Sequence, residues 1–297
     1  MDWVVLSFAA ALAFTAYSVI QKRVLDRYVD GAVTFAALSC IPHGLIAGVI
    51  LLADPPDWFS WPVLAMAMAG TSHAAIQLLS GYAFRREADI SRIVPIMDAF
   101  PLFVLVMAIV FLGEALTPLK AGAALLVTGG VMVASWHQSL PGARIRLNRS
   151  LVVILGAAFA MATYSVLAKA ATGQMSIMQM YAVSWMFSIP WLMGTSLLRN
   201  PSGLHTALTS RPALVSTGVA QAIILFAFVV ALKAFELGPV SLSSAVMSTR
   251  PVLLLFWVVA SGMSVRAVLD RRTSSSQGRA RWASAALVTT GVGAMAF

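Results

Sequence analysis

Ala10-Ala11-Leu12-Ala13-Phe14-Thr15-Ala16-Tyr17-Ser18-Val19-Ile20-Gln21-Lys22 returns 147 positions later as Ala157-Ala158-Phe159-Ala160-Met161-Ala162-Thr163-Tyr164-Ser165-Val166-Leu167-Ala168-Lys169, with seven of the 13 positions identical. Apolar helices rich in small residues match one another easily, but Tyr-Ser-Val-x-x-Lys twice in one chain marks an internal repeat. The pairing continues outward. Ser91 matches Ser241 and Pro101 matches Pro251 at an offset of 150, and Leu126-Val127-Thr128 with Gly130 matches Leu287-Val288-Thr289 with Gly291 at 161. The step from 150 to 161 puts an 11-residue insertion in the basic loop ahead of the last segment.

Around this repeat the 297 residues are 60% hydrophobic and only 10% charged. The charges cluster and leave apolar runs of about 17 to 23 residues, the length that crosses a hydrocarbon core ~30 Å thick. Ten spans result, at 3–21, 32–53, 62–84, 91–112, 118–136, 150–170, 176–198, 212–234, 240–262 and 281–297. Asp54-Pro55-Pro56-Asp57 and Asn200-Pro201-Ser202-Gly203 read as loops between them. This pattern excludes a soluble globule, a disordered tail and a DNA-binding basic domain. The net charge of +9 therefore bears on membrane orientation, with no nucleic-acid partner. The single cysteine, Cys40, excludes a disulfide framework and a multi-Cys metal site. Met1-Asp2 has no basic stretch before the first apolar run, so that run reads as a retained span and not a cleaved leader.

Five spans per repeat, in segments 1–140 and 150–297, force the second copy into the membrane upside down. The expected fold is all-α and integral to the membrane, two inverted-topology five-helix repeats, an arrangement that alternating-access transporters use with a substrate site near the midplane. Sixteen Lys and Arg side chains fall in the loops on one side, against Lys120, Lys169 and Lys233 on the other, with Arg250 inside a span. That bias puts the basic loops in the cytoplasm and both termini outside, and the compact chain with no extra domains points to the inner membrane of a bacterial cell.

Phe111-Leu112-Gly113-Glu114-Ala115-Leu116-Thr117-Pro118-Leu119-Lys120-Ala121-Gly122, followed by Gly129-Gly130, resembles the Gly-Glu turn of the EamA-type drug/metabolite transporters. Ala231-Leu232, Gly238-Pro239-Val240-Ser241-Leu242 and Pro251 are similar to that family's second signature. The chain departs at Gly262-Met263-Ser264, where the second half has no Glu, and at Ala88-Asp89-Ile90-Ser91-Arg92, where small residues are usual. The resemblance implies transport of small metabolites without fixing the cargo.

Ionisable groups within spans are costly and hence functional candidates. Asp98 in the fourth span and Arg250 in the ninth are repeat-equivalent in helix and lie about 10 Å and about 15 Å deep at ~1.5 Å per residue. They bind the ammonium and carboxylate of a zwitterion, or they pair with each other and staple the two spans; Arg suits a carboxylate because its planar fork binds it bidentately. His73 and Gln77, one turn apart, with Gln221 as rough counterpart, are either a polar pocket wall or interhelical glue. Tyr17-Ser18 and Tyr164-Ser165 sit at matched depth and either line a central cavity or pack helices. His43, between Pro42 and Gly44, reads as a satisfied packing histidine, and His137 and His205 as loop or helix-end residues. Lys22 and Lys169 read as snorkelling anchors, and Glu114 as a structural group bonding the start of the fifth span. Gly44-x-x-x-Gly48 is a packing or dimer motif, and Trp58, Trp61 and Trp282 fit interfacial belts.

No motif of an enzyme, metal site, nucleotide site or cofactor is found. The expectation is a secondary exporter of small metabolites, first of all amino acids, with protons as a candidate coupling ion, acting as a monomer or weak homodimer in the lipid bilayer. A cationic-drug or quaternary-amine exporter would need Asp98 but not Arg250. A receptor or scaffold would bind without flux.

Overall fold

The structure is a computed structural model that describes residues 2–86, 97, 99–115, 117–136, 149–250, 252, 253 and 290. Those residues form ten helices and no strand: α1 (Asp2–Arg27), α2 (Ala32–Ala53), α3 (Trp61–Arg86), α4 (Phe100–Leu112), α5 (Pro118–Trp136), α6 (Arg149–Ala171), α7 (Ile177–Arg199), α8 (Pro201–Thr209), α9 (Arg211–Leu237) and α10 (Val240–Met247). Among them α1, α2, α3, α6 and α9 are long and apolar enough to cross a membrane. The expected tenth span, 281–297, lies outside the described residues apart from position 290.

One expected loop is a helix. Asn200 accepts from Gly203 N at 3.2 Å and Pro201 follows at the first helical position. An Asn cap and a Pro with its φ already set are helix-start signals, so α8 forms where Asn-Pro-Ser-Gly reads as a break. His205 accordingly lies inside a short helix, exposed. At α7, Ser176 Oγ accepts from Gln179 N at 3.2 Å and Ser176 N donates to Gln179 Oε1 at 3.1 Å, a reciprocal capping box. Gln179 Nε2 also reaches Asp54 O at 3.3 Å, tying α7 to the end of α2. Ser176→Ala is expected to cost about 1 kcal/mol, read as a modest loss of thermal stability in detergent.

The helices interleave. Matching α1 to α6, α2 to α7, α3 to α9 and α4 to α10 by the repeat, three kinds of packing pair have counterparts: α1 on α9 and α6 on α3, α3 on α7 and α9 on α2, α4 on α6 and α10 on α1. α2 meets its own counterpart α7, and α4 meets α10. Pro42 inside α2 and Pro190 inside α7 stand at equivalent places, each removing one backbone donor and loosening its helix there.

Small residues let the backbones approach. A Cβ on Gly70 of α3 would lie 2.2 Å from Ser184 O of α7, and one on Gly81 would lie 2.7 Å from the Ala32 Cβ. In the Gly44-x-x-x-Gly48 motif only Gly44 packs, with its Cβ position 3.1 Å from Ile189 Cδ1, while Gly48 faces open space.

The helix ends gather in two sets. Trp3 at the start of α1, Glu114 after α4, Lys169 near the end of α6 and the α9–α10 turn at Gly238 meet on one side. Asn200, after α7, donates to Asp30 O at 3.3 Å and Thr34 Oγ1 at 3.1 Å in the α1–α2 connection. Trp58 and Trp61 are exposed at the start of α3.

Candidate functional site

Near the middle of the helices, buried polar and aromatic groups from both halves meet. His43 of α2 lies flat on Trp185 of α7, centroids 3.8 Å apart and planes 11° from parallel. His73 of α3 stands edge-on to the same indole at 4.7 Å and 84°. Trp185 is thus held between two imidazoles. His73 also meets Phe228 of α9 at 5.2 Å and Tyr164 of α6 at 6.1 Å. Phe228 in turn meets Phe14 of α1 edge-on at 5.8 Å, and Arg250 lies with its guanidinium carbon 5.8 Å from the Phe14 ring. A guanidinium within ~6 Å of a ring face is a cation–π contact, so Arg250 sits at the rim of the ring cluster.

The hydrogen bonds fix the imidazole tautomers. His43 Nε2 is 2.8 Å from Gln221 Oε1, an amide oxygen that can only accept. Nε2 therefore carries the hydrogen, and Nδ1 accepts from the Tyr181 hydroxyl. His73 shows the opposite arrangement. Ser188 Oγ stands 2.7 Å from Gly70 O and 2.8 Å from Ser184 O, which takes up its hydroxyl hydrogen, so its lone pair faces His73 Nδ1 at 3.4 Å. Tyr164 faces Ser184. The Tyr17 hydroxyl faces Gln77 and Gln221 yet closes a hydrogen bond with neither, and Gln221 Nε2 is also buried without a partner among the described residues. Unmade hydrogen bonds in a buried site cost about 1–3 kcal/mol each.

Of the residues singled out in the sequence, His73, Gln221, Tyr17 and Tyr164 come together, with Gln77 beside Tyr17 and Arg250 at the rim. Two do not join them. Ser18 is exposed and bonds Phe14 O of its own helix at 2.9 Å, and Ser165 bonds Met161 O at 3.0 Å, because a hydroxyl on an apolar helix closes onto the preceding turn. Asp98 and His137 lie outside the described residues, as does Trp282. His43 is satisfied, as expected of a packing residue, but it is also the hub that joins α2, α7 and α9. Sequence reasoning missed the α7 face as well. Tyr181, Ser184, Trp185 and Ser188 recur at i, i+3, i+4 and i+7, one polar-aromatic stripe.

Two expectations about helix ends are corrected. Lys169 does not snorkel outward: its Nζ donates to Phe235 O at 2.5 Å and Gly238 O at 2.9 Å, capping the last turn of α9. Glu114 does not bond the start of the fifth span. It accepts from Val240 N at 2.6 Å and from Ser241 N and Oγ at 3.4 and 2.5 Å, the start of α10. Gly113, left-handed at φ 63, ends α4 and turns Glu114 back; that conformation is easy only for Gly. Among the described residues no group of three or more His, Cys, Asp or Glu is placed to hold a metal ion.

Residues 1–136 match the model of the EamA-like transporter family. A comparison with curated proteins finds no match. Among solved structures, one protein crystal structure superposes with a TM-score of 0.70 over 98% of this chain and 95% of that one, at 17% identity. At that identity the likeness speaks to the fold alone.

Proposed function

We propose that the chain, whose residues 1–136 match the model of the EamA-like transporter family, is a secondary transporter that moves a small metabolite, amino acids first, across the bacterial inner membrane by alternating access. The observation that carries the reading is the buried cluster itself. It lies where the two halves interleave and takes side chains from α1, α2, α3, α6, α7 and α9. It holds two polar groups, Tyr17 Oη and Gln221 Nε2, without partners among the described residues. A site shared by two halves opens to either side when the halves rock, and the exchange symmetry of the helix pairs supports an inverted repeat. Rings in mutual contact fill the centre in this conformation, so substrate enters by displacing them. Arg250 at the rim supplies a planar fork for a carboxylate. The two gathered sets of helix ends agree with the alternation read from the basic loops, with Trp3, Glu114, Lys169 and Gly238 on the outer face.

The test is flux from proteoliposomes loaded with labelled amino acids and one quaternary amine, for wild type, Arg250→Gln and Asp98→Asn. Amino-acid flux that Arg250→Gln lowers by about thirty-fold, the equivalent of one charge-assisted contact of ~2 kcal/mol, supports the reading. Amine flux that needs Asp98 and ignores Arg250 replaces the cargo with a cation. Specific binding of amino acids with no flux overturns transport.

A further inference from the structure

We propose that His43 is a proton-binding site that couples transport to a proton gradient, with Trp185 and Gln221 holding the imidazolium. The inference rests on the transport reading above and adds to it the place of the proton.

Three features of the surroundings suit the charged ring. Gln221 Oε1 accepts from Nε2 whether the ring is neutral or charged. The Tyr181 hydroxyl, which donates to Nδ1 of the neutral ring, becomes the acceptor for the added Nδ1–H when its own hydrogen turns away. The indole of Trp185 lies parallel to the ring at 3.8 Å, and Trp is the best aromatic partner of a cation. One proton is taken up at Nδ1, no other bond changes, and the side chain gains one positive charge.

The groups that face His43 can be named element by element. α7 brings Tyr181 and Trp185, α9 brings Gln221, and α3 brings His73, which meets the other edge of the same indole. α8 turns Leu204 and Ala207 inward and leaves His205 exposed. None of these is an acid. Among the described residues every carboxylate, from Asp2 to Glu236, stands at a helix end or in a turn. Among the described residues no acid stands beside the ring; a cation without one in a dry core is costly, and His73 on the far side of Trp185 makes a second proton costlier still. The imidazolium is therefore stabilised by an anionic group arriving with the cargo. Proton and carboxylate bind together, and neither binds well alone. This is the linkage that a coupled transporter needs, because each ligand changes the affinity of the other by the same factor. The position also serves coupling: His43 bonds α7 and α9 of the second half from α2 of the first, so its charge state acts where the halves meet.

The readout is Trp185 fluorescence in nanodiscs, taken as the difference between wild type and Trp185→Phe, because an imidazolium stacked on an indole quenches it. With amino acid present, the difference signal is expected to fall in one step as the pH is lowered, and the step is absent in His43→Gln. In Tyr181→Phe, where Nδ1–H has no acceptor, the step moves to lower pH. In proteoliposomes, His43→Gln is expected to lower the ratio of accumulation driven by a pH gradient to exchange of labelled amino acid at equal pH by about ten-fold, a usual size for coupling between two sites. A step that persists in His43→Gln, or gradient-driven accumulation equal to wild type, overturns the proposal. A wild type that shows the step but moves no labelled compound counts against the transport reading and leaves the proton site standing.

Discussion

Gly70→Ala is expected to yield no stably folded protein, whereas Gly48→Ala is expected to fold at least as well as wild type. Both are helical glycines, so helix propensity favours Ala at both by up to about 1 kcal/mol. Space decides. At Gly70 a methyl carbon would lie 2.2 Å from Ser184 O, 3.0 Å from Ser184 C and 3.1 Å from Phe187 Cβ. Two of those atoms are backbone, so no side-chain rotation relieves the clash, and α3 must move off α7 by about 1 Å to restore ordinary contact. That movement breaks the Ser188 Oγ bond to Gly70 O, 2.7 Å long, and withdraws His73, one turn along α3, from Trp185. Overpacking costs typically 1–3 kcal/mol where neighbours can yield, and here they cannot. At Gly48 nothing lies within 4 Å of the added carbon. The measurement is the monodisperse fraction surviving a heat ramp in detergent. Ser188→Ala separates the parts: it removes the hydrogen bond without the clash, and a loss of about 1 kcal/mol leaves a folded, measurable protein.

The same crossing shows which parts of the molecule can be read from the chain. Span positions follow from hydropathy because a bilayer imposes length and apolarity on any helix that crosses it. Each of the first nine expected spans contains a helix among the described residues; α1, α2, α3, α6 and α9 are long and apolar enough to cross a membrane, and parts of 91–112 and 240–262 lie outside the described residues. The pairing of halves follows from Tyr17-Ser18 and Tyr164-Ser165, yet only the tyrosines reach the cluster. Depth along a helix is legible from position, but the direction of a side chain around it depends on which neighbour it faces. Tyr181 and Trp185 were overlooked because aromatic residues in an apolar run are read as membrane filler, and their significance lies in contacts with His43, 138 positions away for Tyr181. Lys169 and Glu114 were misread for a related reason. A charged residue at a span end suggests water, and nothing local reveals that another helix end is within reach.

That shared helix end makes the second large effect. Glu114→Ala and Lys169→Ala are each expected to open the face where Trp3, Glu114, Lys169 and Gly238 gather, and the double variant is expected to do little more than either alone. α10 begins at Pro239 without a side-chain cap of its own. Its first amides are met instead by the Glu114 carboxylate, 2.6 Å from Val240 N, a negative charge at the positive end of a helix. α9 ends two residues earlier, and its last carbonyls are met by Lys169, a cation at the negative end. One turn, Leu237 to Val240, is held from two helices by opposite charges, with the Trp3 ring packed against Gly238, where a Cβ would lie 2.5 Å from Trp3 Cγ. Removing Glu114 leaves two amides and a hydroxyl without their acceptor. At about 1–3 kcal/mol for the loss, the balance between forms closed and open at that face moves by roughly ten-fold or more. Because both side chains hold the same turn, the second loss removes little that the first has not already freed. Glu114→Gln keeps the acceptor oxygen and loses the charge, so it falls between wild type and Glu114→Ala. The check is the labelling rate of a cysteine placed at Ser243 or Ser244, both fully buried behind the turn on α10, in a Cys40→Ala background. Faster labelling in each single variant, without further increase in the double, is the expected result; additive rates would mean that Glu114 and Lys169 hold separate elements.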